Sequence, residues 1–127
     1  PAFMGQALRG EPITVFGDGS QTRSFQYVDD LIEGLWRLLH SNEADPVNIG
    51  NPDEVSIREF AQEVVALTGS ASTLTFEDLP ADDPQVRQPD ISRAREVLGW
   101  EPRVDRADGL ARTLDYFRQR VAEEAAA

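Results

Sequence analysis

Apolar residues recur at helical spacing in three long stretches of the chain. The strongest pattern runs from Val28 to His40, where leucine, isoleucine and tryptophan share one broad face, and it predicts a buried helix. A second helix is predicted after Ser56 and up to Gly69, because Ser56 and Glu59 have the spacing of a capping box. A third helix is expected from about Asp105, with apolar residues at every third or fourth position.

Shorter segments predict the remaining elements. Pro1 to Arg9 has the character of a helix that ends at Gly10, and a short helix is expected from Ser92 to Leu98. The β-prone segments are residues 13–16, 24–27, 47–49 and about 73–76. Strands this short need neighbours, so the pattern indicates an α/β unit, mainly helices with a few short strands, that packs on a larger partner domain. Residues 123–127 are expected to be a disordered tail.

Charge and composition exclude several classes of function. The net charge is −11 and the sequence pI is near 4.4, so there is no basic surface for a nucleic acid. No apolar run approaches the roughly 20 residues of a membrane span, so no membrane partner is expected. The chain has no cysteine, which excludes disulfides and thiolate metal sites and fits a cytoplasmic protein. A single histidine, His40, excludes a histidine metal cluster.

Arg23 is the first candidate for binding a ligand. It follows the turn Gly17-Asp18-Gly19-Ser20 and precedes the first long helix, so its backbone is expected to be firmly held. A guanidinium fixed there can bind a phosphate through two hydrogen bonds. The alternative is a surface ion pair with Asp29 or Asp30, and the local pattern does not decide between the two.

Two further polar residues stand in unusual places. Asn48 lies inside the predicted strand 47–49, where it either satisfies backbone groups or points at a ligand. Arg87 lies in the loop 82–90, which two prolines stiffen, and it either clamps a ligand or pairs with Asp90. The adjacent acids Asp82 and Asp83 in the same loop are expected to be solvated rather than to bind Mg²⁺.

Four segments together resemble one enzyme family. They are residues 9–30, residues 46–52, residues 82–90 and the sequence Leu98-Gly99-Trp100-Glu101-Pro102. In this order they are similar to the C-terminal part of extended short-chain dehydrogenases that act on nucleotide sugars, and most similar to the UDP-glucuronate decarboxylase branch. The resemblance implies a Rossmann-type fold in the whole enzyme, with residues 1–122 as its nucleotide-sugar-binding region.

The resemblance also implies a role for each candidate residue. Thr14, Val15 and Phe16 would line the nucleotide base, partly through backbone groups. Arg23 and Arg87 would hold the two phosphates of a UDP-sugar, and Asn48 would lie beside them. Members of the family use bound NAD to oxidise the sugar at C4; the resulting β-keto acid loses CO₂ and the C4 ketone is reduced again.

The elements that carry this chemistry in the family are not found in the sequence. There is no strand–Gly-x-Gly-x-x-Gly–helix unit, and neither Tyr27 nor Tyr116 is followed by lysine four residues later. No catalytic, cofactor-binding or metal-binding residue is therefore assigned. We expect the 127 residues to lack the NAD-binding domain of the family, to be inactive alone and to self-associate through exposed apolar surface.

Two alternatives stay open at this point. Within the family, the reaction is a UDP-sugar 4-epimerisation or a dTDP-glucose 4,6-dehydration instead of a decarboxylation. Outside the enzyme class, the chain is a non-catalytic module that binds a nucleotide or assembles with another subunit.

Overall fold

The computed structural model describes residues 1–127, which form five helices and four short strands. In chain order the elements are α1 (Ala2–Arg9), β1 (Ile13–Phe16), β2 (Thr22–Ser24), α2 (Val28–Leu39), β3 (Glu54–Ser56), α3 (Ile57–Thr68), β4 (Leu74–Glu77), α4 (Ser92–Leu98) and α5 (Arg106–Ala126). The strands make two separate pairs, β1 with β4 in parallel and β2 with β3 antiparallel. This confirms an α/β unit with little sheet.

The helix ends follow the local signals in the sequence. Gly10, Gly69 and Gly99 each take the left-handed conformation directly after a helix, which an L side chain adopts only with strain. The capping box at α3 is formed: the Glu59 amide donates to Ser56 Oγ, and the Ser56 amide donates to Glu59 Oε2, each at 3.2 Å.

The main core forms where α1, α3 and α5 pack around β1. Ile13 and Val15 of β1 are fully buried, and they belong to one cluster with apolar residues of all three helices. The buried members of this core are Met4, Ala7, Ile13, Val15, Ala61, Val64 and Leu114. It is the larger of the two apolar clusters in the chain.

A smaller core surrounds Trp100. Ile91 and Ala94 are buried with it, and Val47 and Ile49 pack against the three. The indole Nε1 of Trp100 donates to the main-chain oxygen of Asp30 in α2 at 3.0 Å. Trp100 thereby attaches the segment after α4 to α2.

Two of the four predicted strands differ from the structure. The strand predicted at 24–27 lies at 22–24, where it pairs with the unpredicted β3. The strand predicted at 47–49 does not form. No other strand runs beside this segment, and Val47 and Ile49 instead pack on the Trp100 cluster.

The end of the chain is more regular than the sequence indicates. Helix α5 continues to Ala126, through most of the segment 123–127 that was expected to be disordered. Arg9 of α1 reaches this last turn, with its Nη1 at 3.3 Å from Glu124 Oε2. The contact is exposed, so it adds little to stability.

Helix α2 is not buried on its apolar face. Its outer face, defined by Val28, Ile32, Leu35, Trp36 and Leu39, is exposed, with Leu39 at 75%. The buried residues of α2 are Asp30 and Gly34 instead. The prediction of a buried helix is therefore wrong for this face, while the expected exposure of apolar surface is seen. None of the five helices is long and apolar enough to cross a membrane.

Candidate nucleotide-binding site

A cavity of about 520 Å³ lies along the free edge of β1. It brings together three of the predicted site residues, Thr14, Phe16 and Arg23, from two different strands. Its remaining lining comes from α1, from the connection between β1 and β2, from the start of α3, and from the end of β4 and the loop after it. Those residues are Ala2, Phe3, Gln6, Gln21, Ile57, Glu77, Pro80 and Asp83.

The orientation of β1 decides which of its backbone groups face the cavity. The amides of Ile13 and Gly17 donate to the β4 side, to Thr73 O at 2.9 Å and Glu77 O at 2.7 Å. Peptide groups alternate in direction along a strand, so those of Thr14 and Phe16 point to the opposite edge. This free edge is where the cavity lies.

Two glutamines occupy half of the hydrogen-bonding groups on the free edge. The Thr14 amide donates to Gln6 Oε1 at 3.3 Å, and Gln21 Nε2 donates to the Phe16 carbonyl at 2.9 Å. The Thr14 carbonyl and the Phe16 amide keep no protein partner. The cavity therefore offers one acceptor and one donor on neighbouring peptide groups.

Val15 does not share this environment. Its side chain is 0% exposed and belongs to the main core, on the other face of β1. Side chains alternate between the two faces of a strand, so Thr14 and Val15 point in opposite directions. The structure therefore separates Val15 from the cavity that Thr14 and Phe16 line.

Arg23 is held by the loop that follows β4. Its Nη1 donates to the carbonyls of Thr22 at 2.7 Å and Pro84 at 2.8 Å, and its Nη2 donates to the Asp83 carboxylate. The alternative partners considered from the sequence are not used. Asp30 accepts a hydrogen bond from the Val104 amide at 2.9 Å instead.

Arg87 lies on the same loop, beside β2. The Thr22 amide donates to the Gln85 carbonyl at 2.8 Å and Ser24 Oγ to the Arg87 carbonyl at 3.3 Å, so the loop runs along the strand that carries Arg23. The Arg87 side chain is exposed and its guanidinium makes no ion pair. It is a free cation close to an arginine that is already paired.

The predicted alternative for Arg87, an ion pair with Asp90, is not formed. Asp90 accepts hydrogen bonds from Ser92 instead, from Oγ at 2.6 Å and from the amide at 2.8 Å. The Ser92 side-chain bond, followed by the backbone bond, lowers the pKa of Asp90. This carboxylate is therefore engaged at the start of α4 and leaves Arg87 free.

Asn48 lies on the other side of the loop. Its Nδ2 donates to the Asp90 carbonyl at 3.2 Å, which is the backbone role considered from the sequence, and the side chain is exposed. Nearby, Gln88 Nε2 donates to the Pro52 carbonyl at 2.8 Å. The loop that carries Arg87 thus also contacts Arg23 and Asn48. Of these three residues, only Arg23 lines the cavity.

Sequence reasoning missed three polar residues of the site. Gln6 and Gln21 carry no local signal, since a glutamine in a helix or a turn is ordinary. Asp83 was recognised only as part of an acidic pair expected to be solvated, and its ion pair with Arg23 spans 60 positions. Only packing brings these side chains to the edge of β1.

The glycine turn before Arg23 serves the packing of the protein. A Cβ on Gly19 would lie 2.8 Å from Arg58 Cβ and 2.9 Å from Val15 Cγ1, and the Arg58 amide donates to the Gly19 carbonyl at 3.0 Å. The turn also joins two strands, β1 and β2, rather than a strand and a helix. It therefore does not fit the pyrophosphate of a dinucleotide.

A second cavity, of about 500 Å³, lies between α1, α3 and α5. Its lining is mainly apolar, with Phe3, Phe60 and Phe117 among its side chains, and it contains none of the predicted site residues. The cavity at β1 is the one that combines a free strand edge with a guanidinium.

Comparison with known proteins identifies the family. Residues 1–113 match the family model described as GDP-mannose 4,6-dehydratase, so the chain belongs to this family. It is 50% identical over 123 residues to UDP-glucuronic acid decarboxylase 1 of Danio rerio, covering 97% of this chain and 29% of that protein. It is 46% identical over 122 residues to UDP-glucuronic acid decarboxylase 1 of Arabidopsis thaliana, with 96% and 28% covered.

Solved structures agree with the family assignment. The UDP-glucuronic acid 4-epimerase from Bacillus cereus, in complex with UDP-glucuronic acid and NAD, superposes with a TM-score of 0.86 at 34% identity. The match covers 94% of this chain and 40% of the epimerase. The chain thus spans less than a third of the length of the two decarboxylases and two fifths of the epimerase.

Proposed function

We propose that this chain forms the nucleotide-sugar side of an NAD-dependent enzyme, and that the enzyme is a UDP-glucuronate decarboxylase. The observation that carries the proposal is the cavity at the free edge of β1, which is lined by Thr14, Phe16 and Arg23. It combines open backbone groups with a guanidinium, as a ligand with a polar base and an anionic tail requires.

The base of the nucleotide lies at the strand edge. Uracil presents a carbonyl and an N–H side by side on its imide edge, and the open Phe16 amide and Thr14 carbonyl are a matching donor and acceptor. Backbone groups make good specificity elements because they are held by the sheet and cannot rotate away. In this arrangement Val15 contributes through the main core, which holds β1 in place, and not through contact with the base.

The phosphates lie toward the loop 82–90. Arg23 lines the cavity and Arg87 follows on the loop beside β2, so a diphosphate that extends from the base can meet both guanidiniums. Asn48 holds the end of the same loop. Its role in the proposal is to position the loop that carries Arg87.

The choice of reaction depends on the comparisons. Decarboxylases at 46–50% identity support decarboxylation, with UDP-glucuronate as substrate and UDP-xylose and CO₂ as products. The 4-epimerase at 34% identity supports the alternative, a UDP-sugar 4-epimerase, less strongly. NAD supplies the oxidation and reduction at C4 in either reaction. The glycine turn at residues 17–20 joins two strands and does not fit the pyrophosphate of NAD, so we assign NAD binding to polypeptide other than these 127 residues.

A titration of the chain with UDP tests the binding site. Isothermal calorimetry should detect UDP binding that Arg23→Ala and Arg87→Ala weaken strongly, with no heat from NAD. Arg118→Ala is the matched control, because this arginine is exposed on α5 and pairs only with Asp115. Unchanged affinity for UDP in both site variants would overturn the assignment of the phosphates.

The reaction is tested with the full polypeptide that the gene encodes. Incubation with NAD and UDP-glucuronate should release CO₂ and form UDP-xylose. Formation of UDP-galacturonate without CO₂ would instead identify a 4-epimerase. No turnover, together with intact UDP binding, would favour the alternative of another class, a non-catalytic nucleotide-binding or assembly module.

The outer face of α2 supports a proposal about self-association. Five large apolar side chains on one helix face are exposed, which is unusual for a surface that stays in contact with water. We propose that two chains cover this face by forming a dimer. Sedimentation at increasing concentration should show dimerisation, and a monomer at every concentration would contradict the proposal. A cytoplasmic location stays a prediction from the absence of cysteine.

A further inference from the structure

The guanidinium of Arg23 is held by groups of the protein itself. Three of its five N–H groups are used: both on Nη1, by the carbonyls of Thr22 and Pro84, and one on Nη2, by Asp83. The side chains of Arg23 and Asp83 are only 17% and 28% exposed. The N–H of Nε and the second N–H of Nη2 stay available to a ligand.

Fixing an arginine in this way changes what it contributes to binding. A free arginine side chain has about 2 kcal/mol of rotamer entropy, part of which is lost when it orders around a ligand. A guanidinium that is already held in one plane avoids this loss and offers its remaining N–H groups in a set direction. The same ion pair removes most of its net charge.

Of the two adjacent acids Asp82 and Asp83, only Asp83 is placed to hold Arg23. Asp83 lines the cavity with Arg23, whereas its neighbour Asp82 is exposed and its carboxylate makes no hydrogen bond or ion pair. Arg87 is on the same loop and has no acidic partner. The loop thus holds one guanidinium in place and leaves another free.

We propose that Asp83 is a positioning residue for UDP binding: it holds the plane of the Arg23 guanidinium so that the two free N–H groups face a phosphate. Arg87 supplies the positive charge that attracts the diphosphate, because no carboxylate neutralises it. The proposal rests on the proposed UDP site. It assigns the directional hydrogen bonds to Arg23 and the long-range attraction to Arg87.

Three variants of the loop test the role of Asp83 by calorimetry with UDP and with uridine, which lacks phosphates. Asp83→Asn should weaken UDP binding about tenfold, the loss of one charge-assisted hydrogen bond, and leave uridine binding unchanged. Asp83→Glu should recover part of the affinity, since it restores the carboxylate. Asp82→Asn is the matched control and should bind UDP as the unsubstituted chain does.

A double-variant cycle separates positioning from a general loss of structure. In the Arg23→Ala background, Asp83→Asn should have no further effect on UDP affinity, because the residue acts through Arg23. A full tenfold loss in that background, or tighter UDP binding by Asp83→Asn alone, would overturn the proposal. Tighter binding would mean that Asp83 competes with the phosphate for Arg23.

The dependence on salt provides a second readout. Arg87→Ala should flatten the decline of UDP affinity with ionic strength, whereas Arg23→Ala should lower the affinity with little change of slope. Equal changes of slope would contradict the division between the two arginines. If the unsubstituted chain does not bind UDP at all, the proposed function itself fails; if it binds and Asp83→Asn has no effect, only the role of Asp83 fails.

Discussion

The two faces of α2 differ in burial, and the difference is the opposite of what its apolar pattern predicts. The inner face, around Asp30 and Gly34, is buried and holds Trp100, which is 2% exposed. The outer face has the larger apolar side chains, yet its Trp36 is 61% exposed, with its ring beside that of His40 at a centroid distance of 4.1 Å. The two tryptophans of the chain lie on opposite sides of one helix.

This difference shows that apolar character alone does not decide which face of a helix is buried. Gly34 lacks a side chain, so the backbone of α2 can approach Trp100 and Ile49 closely. Close approach gives many van der Waals contacts, and each is small but they add up. The outer face has more apolar surface but no partner within these 127 residues.

Among changes to the two faces of α2, removal of the Trp100 side chain should lower the free energy of unfolding most. Trp100→Ala deletes the centre of the smaller core and should lower the free energy of unfolding by about 3–5 kcal/mol. Urea denaturation measures the change. If this variant does not fold, Trp100→Phe keeps most of the volume but loses the hydrogen bond to Asp30, and should cost about 1 kcal/mol. A small effect of Trp100→Ala would mean that α2 is held mainly elsewhere.

Adding a side chain at Gly34 should have the next largest effect on the free energy of unfolding. A Cβ there would lie 2.4 Å from Ile49 Cγ2 and 3.1 Å from Trp100 Cε2. Gly34→Ala should therefore destabilise the chain by about 1–2 kcal/mol, since overpacking outweighs the gain in helix propensity. Ile49→Ala should relieve the clash, so the double variant should lose less than the sum of the two single changes. Simple additivity would contradict this account of the inner face.

The carboxylate of Asp90, next to the smaller core in sequence, should make a smaller, pH-dependent contribution to the free energy of unfolding. The folded pKa of Asp90 is lowered from its usual value of 3.8 by hydrogen bonds from Ser92. An acid with a lowered pKa stabilises the folded state above its unfolded pKa and loses this effect as the pH falls through the folded value. Asp90→Ala should thus be less stable than the unsubstituted chain at pH 7, and the difference should shrink as the pH falls below 3.8 and vanish below the folded pKa of Asp90. A difference that persists in acid would show that hydrogen bonding of the carboxylate is not its cause.

The smallest effect on stability should come from the outer face. Trp36→Ala removes as large a side chain as Trp100→Ala but should change the free energy of unfolding of the monomer by less than about 0.5 kcal/mol. The same variant should weaken dimerisation, which sedimentation measures directly. A large loss of monomer stability would show that the outer face is buried in solution within one chain.

Local structure was largely predictable from the sequence. Four of the five helices begin or end at residues that commonly cap helices, such as Ser56 at a start and Gly10, Gly69 and Gly99 at the ends. The sequence could not show that residues 47–49 do not form a strand. Their apolar pattern is that of a strand, and a strand fails to form only because no other strand lies beside them. Of the residues that line the candidate cavity, the local sequence pattern indicates Arg23 as a ligand candidate, and the resemblance to a family adds Thr14 and Phe16.

The sequence by itself determined the order of the elements, the positions of the caps and the residues that carry the family resemblance. Tertiary structure alone decided that Arg23 pairs with Asp83 rather than with Asp29 or Asp30, that Val15 faces the core, and that Gly34 rather than Leu35 is buried. The physical reason is range. Caps and periodicity act over a few residues, whereas ion pairs and buried faces depend on groups 60 to 70 positions apart that only packing brings together.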